Sequence, residues 1–162
     1  MSKMLSAGIG LALLIALLAD PAQAWSLKTR FDPNDHEARS DIRRVRSDLT
    51  ASSLFLEIAS WQQVRTRRIA YATWLDTRGT WKFDREIHIS PATGTLKCIV
   101  SSAATGRTIG MRSARRSNHR TVACVLPRAW FGRIHRAVRF HISDLTQDYP
   151  DRAPNRGEYR WL

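Results

Sequence analysis

A chain of 162 residues, 43% of them hydrophobic, can build one domain with a real core but not two. Its 26 Lys plus Arg against 14 Asp plus Glu leave a net charge of +12, a surface that draws polyanions such as anionic lipid headgroups, acidic polysaccharides and wall polymers. No internal repeat or low-complexity segment interrupts it, and nothing beyond its first residues is long and apolar enough to be a transmembrane helix.

Those first residues read as a secretory signal peptide. Lys3 supplies the positive start, Ile9 to Ala19 is an apolar run too short to span a bilayer comfortably, and Ala22-Gln23-Ala24 is a small-residue cleavage site. Cleavage is expected after Ala24, which gives a secreted chain of residues 25–162 forming a single domain. No Cys follows the apolar run, so a lipoprotein anchor has no attachment residue. The leader carries one base, Lys3, and one acid, Asp20, so the remainder keeps the charge of +12.

From Trp25 onward the chain opens with a loop-like stretch holding the turn signature Asp32-Pro33-Asn34-Asp35. Ile42 and Val45 open a first strand within Ser40 to Leu49, and Leu54 to Ile58 is a second that continues towards Trp61. The centre of the chain is Ile69 to Ile89. There Ile69, Tyr71, Thr73 and Leu75 alternate with Ala70, Ala72 and Trp74, and Ile87 and Ile89 alternate with Glu86 and His88. Period-two alternation marks strands with two different faces. Asp76-Thr77-Arg78-Gly79 between them is a turn that presents a carboxylate and a guanidinium, with Arg78 placed to pair with Asp84 or Asp41. Further strands are expected at Thr95 to Ser101, weakly at Arg107 to Arg112, at Thr121 to Leu126 and at Ala137 to Ile142. Ser113 to Arg120 reads as loop, Trp130-Phe131-Gly132 as a short turn or helical piece, and Glu158 to Leu162 as a final strand. Short strands with turn signals about every ten residues predict an all-β fold: an antiparallel, jelly-roll-like β-sandwich of about eight strands.

Three segments carry a resemblance. Phe31-Asp32-Pro33-Asn34-Asp35 followed by Asp41-Ile42-Arg43-Arg44-Val45, then Leu75-Asp76-Thr77-Arg78-Gly79, then Asp151-Arg152-Ala153-Pro154-Asn155-Arg156-Gly157 are similar, in that order, to the motifs of a group of small exported bacterial proteins. That group looks like the β-sandwich ligand-binding modules of the DOMON and family-nine carbohydrate-binding type. The chain departs from it at Arg39-Ser40, where a glycine is usual. The resemblance implies a binding module, and a structural Ca²⁺ held near the N-terminal strand by Asp32, Asp35 and Asp41. Ca²⁺ takes six to eight hard oxygens from flexible loops, and the same aspartates equally serve as turn residues and partners for the many Arg.

The other chemistry-bearing residues narrow the function. Cys98 and Cys124 both fall on the apolar phase of their strands. They form a disulfide if those strands are neighbours or face each other, and stay buried thiols if a third strand of a flat sheet separates them by about 9–10 Å. The five histidines have no His or Cys partner at metal spacing, and no G-x-S-x-G or other nucleophile motif is present, so an enzyme is not expected. Asp76, Arg78, Trp74 and Trp81 are the expected ligand contacts at the sandwich rim, within an Arg- and aromatic-rich stretch (Trp61, Arg65, Arg67, Arg68, Tyr71) that suits stacking on sugars. The reading is a secreted, non-catalytic module for carbohydrate or cell-wall polymer, with Ca²⁺ as its one candidate cofactor. The alternative is a basic protein that binds anionic polymer or lipid headgroups by charge. Nucleic acid is not the expected partner.

Overall fold

The computed structural model describes residues 28–33, 41–61, 63, 70–92, 95–134, 139–144, 152–154 and 158–160. Residues 1–24, Asp35, Arg65, Arg67, Arg68 and Asp151 lie outside them. Twelve strands are described: β1 (Lys28–Phe31), β2 (Ile42–Leu49), β3 (Ser53–Ser60), β4 (Tyr71–Asp76), β5 (Arg85–Ala92), β6 (Thr95–Ser102), β7 (Thr108–Ser113), β8 (Arg115–Asn118), β9 (Thr121–Pro127), β10 (Arg139–Asp144), β11 (Arg152–Ala153) and β12 (Tyr159–Arg160). One turn of 3-10 helix, Arg128–Phe131, follows β9.

Two antiparallel sheets result. The first runs β1-β2-β3-β9-β8; the second runs β11-β10-β4-β5-β6-β7, with β12 also on β10. The all-β sandwich is therefore the observed fold. It has more strands than expected because β1, β8 and β11 are short and carry no apolar alternation, while β12 falls within the final strand expected at Glu158 to Leu162. Ser113 to Arg120, expected as loop, holds β8, whose four residues are all exposed. The backbone of β8 pairs with β9 all the same, with Arg115 opposite Ala123 and Arg116 opposite Val122.

The alternation becomes the core. In β2, Val45, Ser47 and Leu49 point inward while Arg44, Arg46 and Asp48 point outward. Ile42 is also buried, out of step with Val45, because the register shifts between Ile42 and Arg44. Leu54, Leu56 and Ile58 of β3 and Val122, Cys124 and Leu126 of β9 complete the inner face of the first sheet. Facing them are Tyr71 and Leu75 of β4, Ile87 and Ile89 of β5, and Leu96, Cys98 and Val100 of β6. On the outer face of the first sheet, Arg44 and Arg46 both reach Glu57 Oε1 (3.1 and 3.4 Å).

Two contacts tie the layers together. Cys98 on β6 and Cys124 on β9 form a disulfide, Cα to Cα 6.1 Å, so the cysteines face each other across the sandwich. Ser60 Oγ and Tyr71 Oη lie 2.6 Å apart in a buried hydrogen bond. The chain itself passes from the second sheet to the first at Ala114, between β7 and β8.

Candidate functional site

The candidate site is at the end of the sandwich where β4 turns into β5 and β6 into β7. The 3-10 turn packs beneath it: Phe131 is buried in the core, and Gly132 (φ 66) ends the turn.

The β4–β5 loop is tied by two carboxylates. Asp76 is fully buried. Its Oδ1 accepts from Thr80 N (3.1 Å) and its Oδ2 from Trp81 N (2.8 Å). Asp84 works from the other side. Its Oδ1 accepts from Thr77 N and its Oδ2 from Thr77 Oγ1, both at 2.7 Å, while its own N–H donates to Leu75 O (2.9 Å). Carboxylates that accept backbone N–H groups fix a turn firmly. The fixed loop holds Gly79 at φ 71 and, unusually for a bulky side chain, Trp81 at φ 65. The Trp81 side chain stands out into solvent, 74% exposed.

Around Asp84 sit two guanidiniums. Arg78 Nε lies 3.4 Å from Asp84 Oδ2 and is largely exposed. Arg85 is held much more tightly: Nε donates to Trp130 O (3.1 Å), and Nη1 donates to Asp84 O (2.9 Å) and sits 3.4 Å from Asp84 Oδ2. Asp84 O also accepts from Ala103 N (3.2 Å), which joins the loop to the β6–β7 hairpin. Between Arg85 at the start of β5 and the β6–β7 hairpin opens a cleft of about 410 Å³, lined by Arg85, Ser102, Thr105, Arg107, Thr108 and Ile109. No acidic side chain lines it, and Arg107 has no carboxylate partner among the described residues.

The residues singled out in the sequence divide accordingly. Arg78 and Trp81 stand together on this loop, and Arg78 pairs with Asp84 rather than Asp41. Asp76 belongs to the same loop but builds it from inside, with both oxygens on backbone N–H groups. Trp74 is elsewhere: half-buried on β4, opposite Glu86. Asp32 and Asp41 are both buried near the start of β2. Asp32 N donates to Arg43 O (3.0 Å), and Asp41 O accepts from Trp61 N (2.9 Å). Asp35 lies outside the described residues, and among those described no three His, Cys, Asp or Glu residues gather as a metal site would require. Arg85, Arg107 and the hydroxyls of the cleft were not singled out in the sequence. Arg85 did leave a signal, because it occupies the inward phase shared with Ile87 and Ile89, where a charge is out of place. Arg107 left none.

No protein-family model matches the chain, and neither a curated protein nor a solved structure matches it at a significant level.

Proposed function

We propose that this protein is a secreted, non-catalytic module that binds an acidic polymer, an anionic glycan or wall polymer, through the loop end of its sandwich. The observation that carries the reading is the charge imbalance there. Arg78 and Arg85 stand around one carboxylate, Asp84, whose oxygens already serve Thr77, and Arg107 lines the neighbouring cleft with Arg85 and no acid. Trp81 beside them offers an exposed aromatic face of the kind on which sugar rings stack. The net charge of +12 adds long-range attraction for the same class of ligand. A structural calcium at Asp32, Asp35 and Asp41 belongs to the proposal only through the resemblance noted above.

The test is retention of the purified protein on immobilised acidic polysaccharide beside a neutral one. Retention on the acidic matrix alone, released by raising salt from about 0.05 to 0.5 M, supports the reading. Equal retention on both matrices, or none on the acidic one, overturns it.

A further inference from the structure

We infer that the cleft between Arg85 and the β6–β7 hairpin is a seat for one tetrahedral oxyanion, a phosphate or sulfate monoester group carried by the ligand. This rests on the binding reading above and names the group recognised.

The first ground is the state of Arg85. Its side chain is only 17% exposed and is fixed by Trp130 O and by both the carbonyl and the carboxylate of Asp84. These bonds use Nε and Nη1. Nη2 has no hydrogen-bond partner among the described residues, and Arg85 lines the cleft. Nη2 is thus an unspent donor, beside Gly132, on an arginine fixed through its other two nitrogens. An arginine already immobilised gives up little rotamer freedom when an anion arrives.

The second ground is the composition of the wall. Arg107 brings a second guanidinium with no carboxylate to neutralise it among the described residues. Ser102, Thr105 and Thr108 bring three hydroxyls. Thr105 Oγ1 accepts from Arg107 N (3.4 Å), which leaves its hydroxyl hydrogen for another acceptor. The wall is therefore rich in donors, carries excess positive charge and holds no acid. A tetrahedral oxyanion offers three acceptor oxygens to such a wall, where a carboxylate offers two. The cleft is also larger than a bare ion and falls in the range of small-molecule sites, about 300–1,000 Å³, which leaves room for the ester's attached residue.

The test is an amide NMR titration of the purified protein with inorganic phosphate, with sulfate, with glucuronate and with neutral glucose. Saturable shifts at Ser102, Thr105, Arg107 and Thr108 are expected with phosphate or sulfate, and the tighter of the two names the source. Arg107→Ala, a change at an exposed position, should weaken that binding about tenfold without moving the melting temperature, while Thr108→Val should weaken it less. Glucuronate binding as tightly as phosphate and sulfate, shifts without saturation, or an unchanged affinity in Arg107→Ala would each overturn the inference. Retention on acidic polysaccharide without saturable phosphate or sulfate binding sinks the seat and leaves the polymer reading standing. Saturable binding without polymer retention does the reverse.

Discussion

Trp81 is a large side chain on a backbone conformation that glycine adopts freely, with φ at 65. Such a residue costs on the order of 1–3 kcal/mol and persists where its surroundings over-determine it. Here the Trp81 N–H is fixed by Asp76 Oδ2. Trp81→Gly should therefore remove the strain and the aromatic platform together. Its unfolding free energy is expected within about 1 kcal/mol of the parent, while retention on acidic polysaccharide falls; urea titration and column retention measure the two effects. Asp76→Ala is the contrasting case, because it leaves two N–H groups at the sandwich end without their acceptor. A loss of about 2–4 kcal/mol in the same urea titration is expected.

Glycine matters in the opposite sense at Gly110. A Cβ built there would lie 2.5 Å from Trp130 Cε2 and Cζ2. The indole of the 3-10 turn thus packs directly on the backbone of β7, beneath Arg112, whose guanidinium carbon lies 5.8 Å from a Trp130 ring centre. Gly110→Ala should push the indole away and cost about 1–3 kcal/mol in unfolding free energy. An unchanged midpoint would mean that the turn moves freely over β7.

At the scale of elements, legibility followed burial. The strands from β2 to β6, and β9, announced themselves because Val45, Leu56, Leu75, Ile87, Cys98 and Leu126 recur on one phase against polar neighbours. β8 could not be read that way. Its sequence, Arg-Arg-Ser-Asn, is polar on both faces, and only its backbone bonds to β9 make it a strand. An edge strand of this kind needs no apolar face, and its charges discourage pairing with a second copy. The pairing of Cys98 with Cys124 also turned on topology: the sequence placed both inward, and only the split into two sheets put them opposite one another.

The site was legible in part. The turn after Leu75 was evident from Asp, Gly and Arg, and Trp81 was singled out as a contact. Asp84 closing the loop from eight positions beyond Asp76 was not, because a reciprocal pair of carboxylates has no fixed spacing in sequence. The cleft was not visible either, since Ser102, Thr105 and Arg107 come from a hairpin that meets the loop only in the folded sheet.

For the molecule as a whole, the calcium proposal is the simplest to test. Ca²⁺ at 100 times its dissociation constant adds about 2.7 kcal/mol to a folded state that alone binds it. In a domain of this size that raises the melting temperature by several degrees over the value in chelator. Such a shift, abolished by Asp41→Asn, is expected if the N-terminal aspartates hold the ion. The same melting temperature in both buffers would assign Asp32 and Asp41 to the fold alone.

The bridge between β6 and β9 encloses the passage from the second sheet to the first, 26 residues along the chain. Within that ring Arg107, Arg112, Arg115, Arg116 and Arg120 are all exposed. A single tryptic cut at the hairpin tip or the edge strands cannot release either half. The nicked protein is expected to migrate as one species on a denaturing gel until reductant is added, and as two afterwards. A wound in its most basic stretch would leave the molecule in one piece, its two layers still clasped by sulfur.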